Sequence, residues 1–119
     1  MAPPGPNPWK VVIVLEELQV PYEIKSFKFE EIKKKPFIDI NPNGRVPAIE
    51  DPNTDITLWE SGAIITYLIE QYDKNHVLSY DTLKEKHQCN QWRKADLFIC
   101  SITLKFCSVI LIISEEELS

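Results

Sequence analysis

The sequence predicts an α/β fold for residues 1–80 and a partly helical segment for residues 81–119. The hydrophobic periodicity of the first region changes between that of helices and that of strands, in the order helix, strand, short helix, strand, strand, helix, which is an α/β pattern. All nine prolines and all three glycines lie at or before Gly62. The two regions therefore differ in their content of the residues that form turns and end helices and strands.

The first predicted element is a helix near the N-terminus. Asn7 is typical of a helix N-cap and Pro8 of the first turn, where the missing N–H of proline costs nothing. Pro21 ends the helix. Three apolar residues between these points recur at helical spacing and define the buried face: Val11, Leu15 and Leu18.

The remaining elements of the first region follow in order. Tyr22–Phe29 mixes aromatic, β-branched and polar residues in near alternation, which indicates a strand. Glu30–Lys35 predicts a short helical turn. Ala48–Glu50 and Ile56–Trp59 flank a turn-rich segment and predict a hairpin. A helix is then expected to begin at Glu60–Ser61.

The second region is harder to interpret from its pattern. Residues from Asp81 to about Phe98 predict one helix with a polar face. Leu97–Ile113 is an almost continuous apolar run without amphipathic periodicity. Lys105 interrupts this run, which is also shorter than the roughly 20 residues of a membrane span, so no membrane association is expected.

The composition argues against several classes of protein. Thirteen Lys and Arg against eighteen Asp and Glu give a net charge of −5, whereas nucleic-acid binders present a basic face. The three cysteines form no CxxC pair, so buried, inert side chains are expected rather than disulfides or zinc ligands. No metal-ligand spacing occurs around His76 or His87. The N-terminus lacks the pattern of a signal peptide, so a reducing cytoplasm is the expected compartment.

Two segments contain candidate site residues: NPNGRVPAI (residues 41–49) and WESGA (residues 59–63). A cis bond at Val46–Pro47 would leave the backbone N–H and C=O of Val46 available to a ligand. Ser61 and the first N–H groups of a helix could bind a carboxylate, with Glu60 taking an adjacent ammonium. Ordinary turn and helix-start chemistry explains the same residues equally well.

The combination of three segments resembles the N-terminal thioredoxin-like domain of glutathione transferases. The segments are GPNPWKVVIVLEEL, NPNGRVPAI and LWESGAIITYLIEQY. They are most similar to the fungal branch that includes the nitrogen-regulating prion protein of yeast. The resemblance implies a mixed sheet with helices on both faces, and a glutathione-binding domain over residues 1–80.

The resemblance also implies which residues bind glutathione. Glu60 and Ser61 would hold the γ-glutamyl group, and Val46, before cis-Pro47, would pair with the cysteinyl backbone. The glycyl end would be held by two basic side chains, Arg45 and a lysine at or near Lys33.

Asn7 matches the position where this branch carries an asparagine in place of the catalytic tyrosine, serine or cysteine of other classes. A thiolate at a helix N-terminus is stabilised by free N–H groups and by the helix dipole. The asparagine amide can donate a hydrogen bond to the sulfur, but it cannot deprotonate the thiol.

The chain departs from the family at both ends. Members of the family begin with an interior strand before the first helix, and MAPPGP does not read as such a strand. We therefore expect a thioredoxin-like fold that lacks its first strand and exposes the edges of the neighbouring strands. From Trp92 onward the chain no longer resembles the family's all-helical second domain. Residues 81–119 are expected to be a partial helical domain with an aberrant tail, so the chain is predicted to be truncated.

The resemblance implies a glutathione transferase that conjugates glutathione to electrophiles in detoxification, or that reduces disulfides or peroxides with it. Glutathione would be a co-substrate, and neither a cofactor nor a metal is expected. The implied partners are glutathione, a small electrophile and, in full-length members, a second copy; nucleic acid and membrane are not expected. The main alternative is a non-catalytic regulatory or protein-interaction module.

Overall fold

A computed structural model describes residues 6–100 and 108–113, with side chains for residues 7–91. Helices and strands alternate as the sequence predicts, and the last strand comes from the C-terminal tail. The elements in chain order are α1 (Pro6–Glu17), β1 (Tyr22–Phe27), a 3₁₀ turn (Glu31–Lys33), α2 (Phe37–Ile40), β2 (Ala48–Asp51), β3 (Ile56–Trp59), α3 (Ser61–Tyr72), α4 (Leu83–Cys100) and β4 (Ser108–Ile113).

The four strands form one mixed sheet in the order β1-β4-β2-β3. β4 runs antiparallel to β1 and parallel to β2, and β2 and β3 form an antiparallel hairpin. The interior position beside β1 is therefore occupied by a tail strand. The expectation that β1 and β2 expose their inner edges is wrong, because β4 pairs with both.

Both faces of the sheet are covered, as predicted. Successive residues of a strand lie on opposite faces, and β2 shows this at its first two positions. Ile49 belongs to a core that α1 and α3 cover with Leu15 and Ile64. Ala48 belongs to a second core, with Phe37 of α2. Two of the candidate site residues, Val46 and Pro47, lie where β2 enters this two-sided core.

Local boundaries differ from the sequence prediction at two points. α1 begins at Pro6, so Asn7 lies in its first turn, and the predicted N-cap is wrong. The sequence also does not predict the short α2 after Pro36, whose buried residue is Phe37. A helix of four residues carries too little periodicity to be recognised.

The apolar run of the tail divides between two elements. Its first residues continue α4 to Cys100, and residues 108–113 form β4. In the described part of the chain, none of the helices has the length and apolar character to span a bilayer.

Candidate functional site

The β2–β3 hairpin brings the two candidate segments together. Ala48 pairs with Trp59 across the ladder. Val46 and Pro47 immediately precede Ala48, and Glu60 and Ser61 immediately follow Trp59, so the four residues meet at one end of the hairpin. The Val46–Pro47 peptide bond is cis, as the sequence predicts.

The Val46 backbone has a free hydrogen-bond donor and acceptor in the part of the chain that the structure describes. Its N–H and C=O make no hydrogen bond to any residue that the structure describes, and its side chain packs against the core formed by Ile32, Phe37 and Ala48. A half-buried residue with an unpaired donor and acceptor can bind an extended peptide backbone.

Glu60 has an unusual backbone conformation directly before α3. Its φ is 72° and its ψ is 117°, a region that costs a non-glycine residue energy and that occurs preferentially at functional sites. The Glu60 carbonyl accepts the N–H of Ile64 at 2.9 Å. Its exposed side chain does not cap the helix and has no ion-pair partner among the described residues.

Ser61 is the first residue of α3 and is 6% exposed. Its hydroxyl forms no hydrogen bond with any described residue. The first N–H groups of a helix lack intrahelical acceptors and favour negative charge. These groups, which could bind an anion, lie at the same end of the hairpin as Val46.

Basic residues border this end of the hairpin. Lys33 Nζ donates to the carbonyl oxygens of Asn43 at 3.1 Å and of Gly44 at 2.9 Å, which places it next to Arg45. The Arg45 side chain is exposed, and within the described ranges it makes neither an ion pair nor a hydrogen bond.

Asn7 lies in the first turn of α1, which packs against α3 through the shared core. Its Oδ1 atom is buried and has no hydrogen-bond partner among the described residues. An unsatisfied buried acceptor is unusual in a folded protein. No described contact joins Asn7 to the other site residues, so its assignment to the site stays a prediction.

Asn41 is a site-loop residue whose role the sequence does not reveal. Its side chain is 2% exposed. The Oδ1 atom accepts the N–H of Asn43 at 3.0 Å, and Nδ2 donates to the carbonyl of Arg45 at 2.8 Å. The NPNG segment reads as an ordinary turn, and nothing in it indicates the second of these bonds.

A second polar cluster joins the β2–β3 turn to α3. The buried Asp51 accepts hydrogen bonds from the hydroxyls of Tyr67 and Tyr72, the latter at 2.6 Å, and from the N–H of Asn53 at 3.0 Å. Burial, together with the bond to Asp51, raises the pKa of Tyr67 to about 12. This cluster lies at the opposite end of the hairpin from Val46 and holds α3 against the sheet.

Among the residues that the structure describes, no three His, Cys, Asp or Glu side chains come close enough to hold a metal ion. Cys89 is half-buried rather than buried as expected, and lines a groove of about 550 Å³ between α3 and α4. The expectations for the side chain of Cys100 and for Cys107 fall outside the described residues.

Known proteins match the part of the chain that contains this site. Residues 2–70 match the family described as glutathione S-transferase, N-terminal domain. The glutathione S-transferase-like protein OpS6 of Beauveria bassiana (strain ARSEF 2860) is 56% identical over 88 residues, covering 74% of this chain and 40% of that protein. Protein URE2 of Saccharomyces bayanus is 42% identical over 94 residues, covering 74% of this chain and 27% of that protein.

A solved structure has the same fold. It is the glutathione transferase URE2P6 from Phanerochaete chrysosporium in complex with oxidized glutathione, with a TM-score of 0.69 and 46% identity. The match covers 76% of this chain and 43% of that one. The chain thus spans less than half the length of these relatives. With more than half of its residues inside the family's N-terminal domain, it belongs to the glutathione S-transferase family.

Proposed function

We propose that this chain binds glutathione at the end of the β2–β3 hairpin and is the thiol-binding half of a glutathione transferase. The γ-glutamyl carboxylate binds the Ser61 hydroxyl and the first N–H groups of α3, and Glu60 takes the γ-glutamyl ammonium. The cysteinyl backbone pairs with the N–H and C=O of Val46. These assignments use groups that have no hydrogen-bond or ion-pair partner among the residues that the structure describes.

The remaining contacts follow from charge and position. The glycyl carboxylate binds the exposed Arg45 guanidinium, with Lys33 beside it. The glutathione sulfur lies near the first turn of α1, where Asn7 donates a hydrogen bond to the thiolate. Because an amide cannot remove the thiol proton, solvent takes it, and the helix N-terminus lowers the thiol pKa.

The reaction is nucleophilic attack by this thiolate. With an electrophilic carbon, a sulfur–carbon bond forms and the leaving group departs with its electron pair, or the carbon accepts the pair in an addition. With a mixed disulfide, a new sulfur–sulfur bond forms and the other thiolate leaves. We include in the proposal a small electrophilic substrate, a homodimer as in full-length members of the family and a cytoplasmic location, all supported by family membership alone.

One observation carries the proposal. It is the register of Ala48 with Trp59, which Val46 and Ser61 flank at the same end of the hairpin. Among the described residues, neither the backbone of Val46 nor the hydroxyl of Ser61 has a hydrogen-bond partner. A dipeptide-like ligand with a terminal carboxylate matches this set of groups.

A non-catalytic role is the second candidate function. Asn7 supplies no base, and the chain spans only 40% of the relative OpS6, so the region that would complete an electrophile pocket lies outside the matched part. Such a module would bind glutathione or a protein partner without turnover.

The test is titration of the purified chain with reduced glutathione, followed by calorimetry and amide NMR. We expect saturable binding with shifts at Val46 and Ser61. Ser61→Ala should weaken affinity about tenfold to a hundredfold, the cost of one hydrogen bond to a charged group, and Cys89→Ala should leave it unchanged. Equal effects of the two variants would contradict the assigned site. A conjugation assay with a thiol-reactive chromogenic electrophile separates the enzyme from the non-catalytic module.

A further inference from the structure

The loop that leads into Val46 is held from the inside by Asn41. Both ends of its buried amide are used, Oδ1 by the N–H of Asn43 and Nδ2 by the carbonyl of Arg45. The backbone closes the same turn, because the N–H of Gly44 donates to the Asn41 carbonyl at 2.9 Å. An Asx turn needs only the bond from the Asn43 N–H to Asn41 Oδ1. The bond to Arg45 is additional and fixes the residue directly before Val46.

Lys33 holds the same loop from the other side. Its ammonium bridges the carbonyls of Asn43 and Gly44, which uses two of its three donors. No carboxylate is paired with Lys33 among the residues that the structure describes. Because two of its N–H groups donate to carbonyls of one loop, Lys33 restricts the motion of that loop. Its third N–H can still donate to another acceptor.

Gly44 makes this close approach possible. Its φ is +56°, and a Cβ atom there would lie 2.7 Å from the Ile32 carbonyl oxygen and 2.8 Å from Lys33 Cδ. Any other side chain would push Lys33 away or strain the backbone. The three residues therefore form one unit in which Asn41 and Lys33 enclose residues 43–45.

We propose that Asn41 and Lys33 are positioning residues that fix Arg45 in the orientation that receives the glycyl carboxylate of glutathione. The proposal rests on the glutathione site proposed above, and it gives Lys33 a role in ordering the loop before any ligand binds. Asn41 contacts no ligand in this scheme and acts through the Arg45 carbonyl. Loop order obtained before binding reduces the entropy lost on binding.

The first test removes the donor of Asn41 and keeps its acceptor. Asn41→Asp retains an oxygen for the Asn43 N–H but loses the bond to Arg45. Asn43→Asp makes the same chemical change on an exposed side chain two residues away and controls for the added charge. We expect faster amide hydrogen exchange at Gly44 and Arg45 in Asn41→Asp without ligand, and wild-type exchange in the control. Unchanged exchange in Asn41→Asp would overturn the proposal.

The second test is a double-mutant cycle with Arg45→Ala, read as glutathione affinity. Asn41→Asp should weaken affinity about fivefold to tenfold when Arg45 is present, and less than twofold when Arg45 is already alanine. General destabilisation would give the same loss in both backgrounds and would contradict a positioning role.

A third pair of variants decides the question if Asn41→Asp does not fold. Lys33→Met removes the bridging ammonium from an exposed position, and Lys34→Met is its neighbouring control. For Lys33→Met we expect faster amide hydrogen exchange at Gly44 and a loss of glutathione affinity that is large only when Arg45 is present. For Lys34→Met we expect neither change. If the wild-type chain does not bind glutathione at all, the proposed function fails, and the ligand-free exchange rates still decide whether the loop is held in this way.

Discussion

Ile110 lies opposite Ala48 in the parallel ladder between β4 and β2. A residue of the C-terminal tail is thus paired with the first strand residue after Pro47, at the entrance of the proposed glutathione site. β4 also pairs along its whole length with β1, from Tyr22 opposite Ile113 to Phe27 opposite Ser108. Among the described strands, β4 lies between β1 and the β2–β3 hairpin, so the tail strand connects the two halves of the sheet.

Breaking β4 should therefore disassemble the sheet. Leu111→Pro removes a backbone donor, and proline is incompatible with a strand that is paired on both sides. We expect loss of cooperative thermal unfolding measured by circular dichroism. Leu111→Ala keeps the backbone donor and should retain a cooperative transition. A Leu111→Pro variant with wild-type unfolding would show that the sheet does not depend on β4.

Glu60, the strained residue at the proposed site, should lower the stability of the fold and strengthen glutathione binding. Glu60 has a positive φ of 72°, which costs on the order of 1–3 kcal/mol for a residue with a Cβ. Glu60→Gly relieves this strain and should leave the melting temperature unchanged or higher, while it removes the carboxylate proposed above to bind the γ-glutamyl ammonium. We expect glutathione affinity to fall at least tenfold, as measured by calorimetry.

The control for this variant is Asp55→Gly. Asp55 also has a positive φ, of 56°, but lies in the turn at the other end of the hairpin. Its replacement should not alter glutathione affinity. A loss of affinity in both variants would point to a general effect of glycine on the hairpin.

Locally determined features of this protein can be predicted from its sequence. The cis bond before Pro47 at a strand entrance and the helix start at Ser61 are predicted correctly, because proline and serine favour those positions through their own backbone chemistry. The place of Ser108–Ile113 cannot be predicted in this way. An apolar run of this kind suits a strand or a buried helix equally, and its pairing with Ala48 depends on contacts distant in sequence. Asn41 is missed for a similar reason, since its bond to Arg45 exists only in the folded loop.

The Asp51 cluster should contribute measurably to stability. Tyr72→Phe removes a hydroxyl that donates to the carboxylate of Asp51, which is 2% exposed, and should lower the free energy of unfolding by about 1–3 kcal/mol. Tyr80→Phe makes the same change on a side chain that is 53% exposed and should have no effect. Urea denaturation followed by tryptophan fluorescence measures both. Equal stability of the two variants would mean that the carboxylate is satisfied without Tyr72.

Because of Asp73, the free energy of unfolding should depend on pH in the acid range. It ends α3 and accepts hydrogen bonds from the N–H groups of Val77 and Leu78 and from the Ser79 hydroxyl. Burial alone would raise the pKa of the Asp73 carboxyl. The bonds from Ser79, Leu78 and Val77 outweigh burial and hold the pKa below its ordinary value of 3.8.

A carboxyl with a lowered folded-state pKa stabilises the protein above its unfolded-state pKa and loses that effect as the pH falls through the folded-state pKa. Asp73→Asn should therefore be less stable than wild type by about 1–3 kcal/mol near neutral pH, and the difference should shrink as the pH falls below 3.8. Asp55→Asn, on an exposed turn residue, should follow the wild-type curve. Urea denaturation across this pH range measures the three curves, and a difference between wild type and Asp73→Asn that is constant with pH would show that Asp73 acts without its charge.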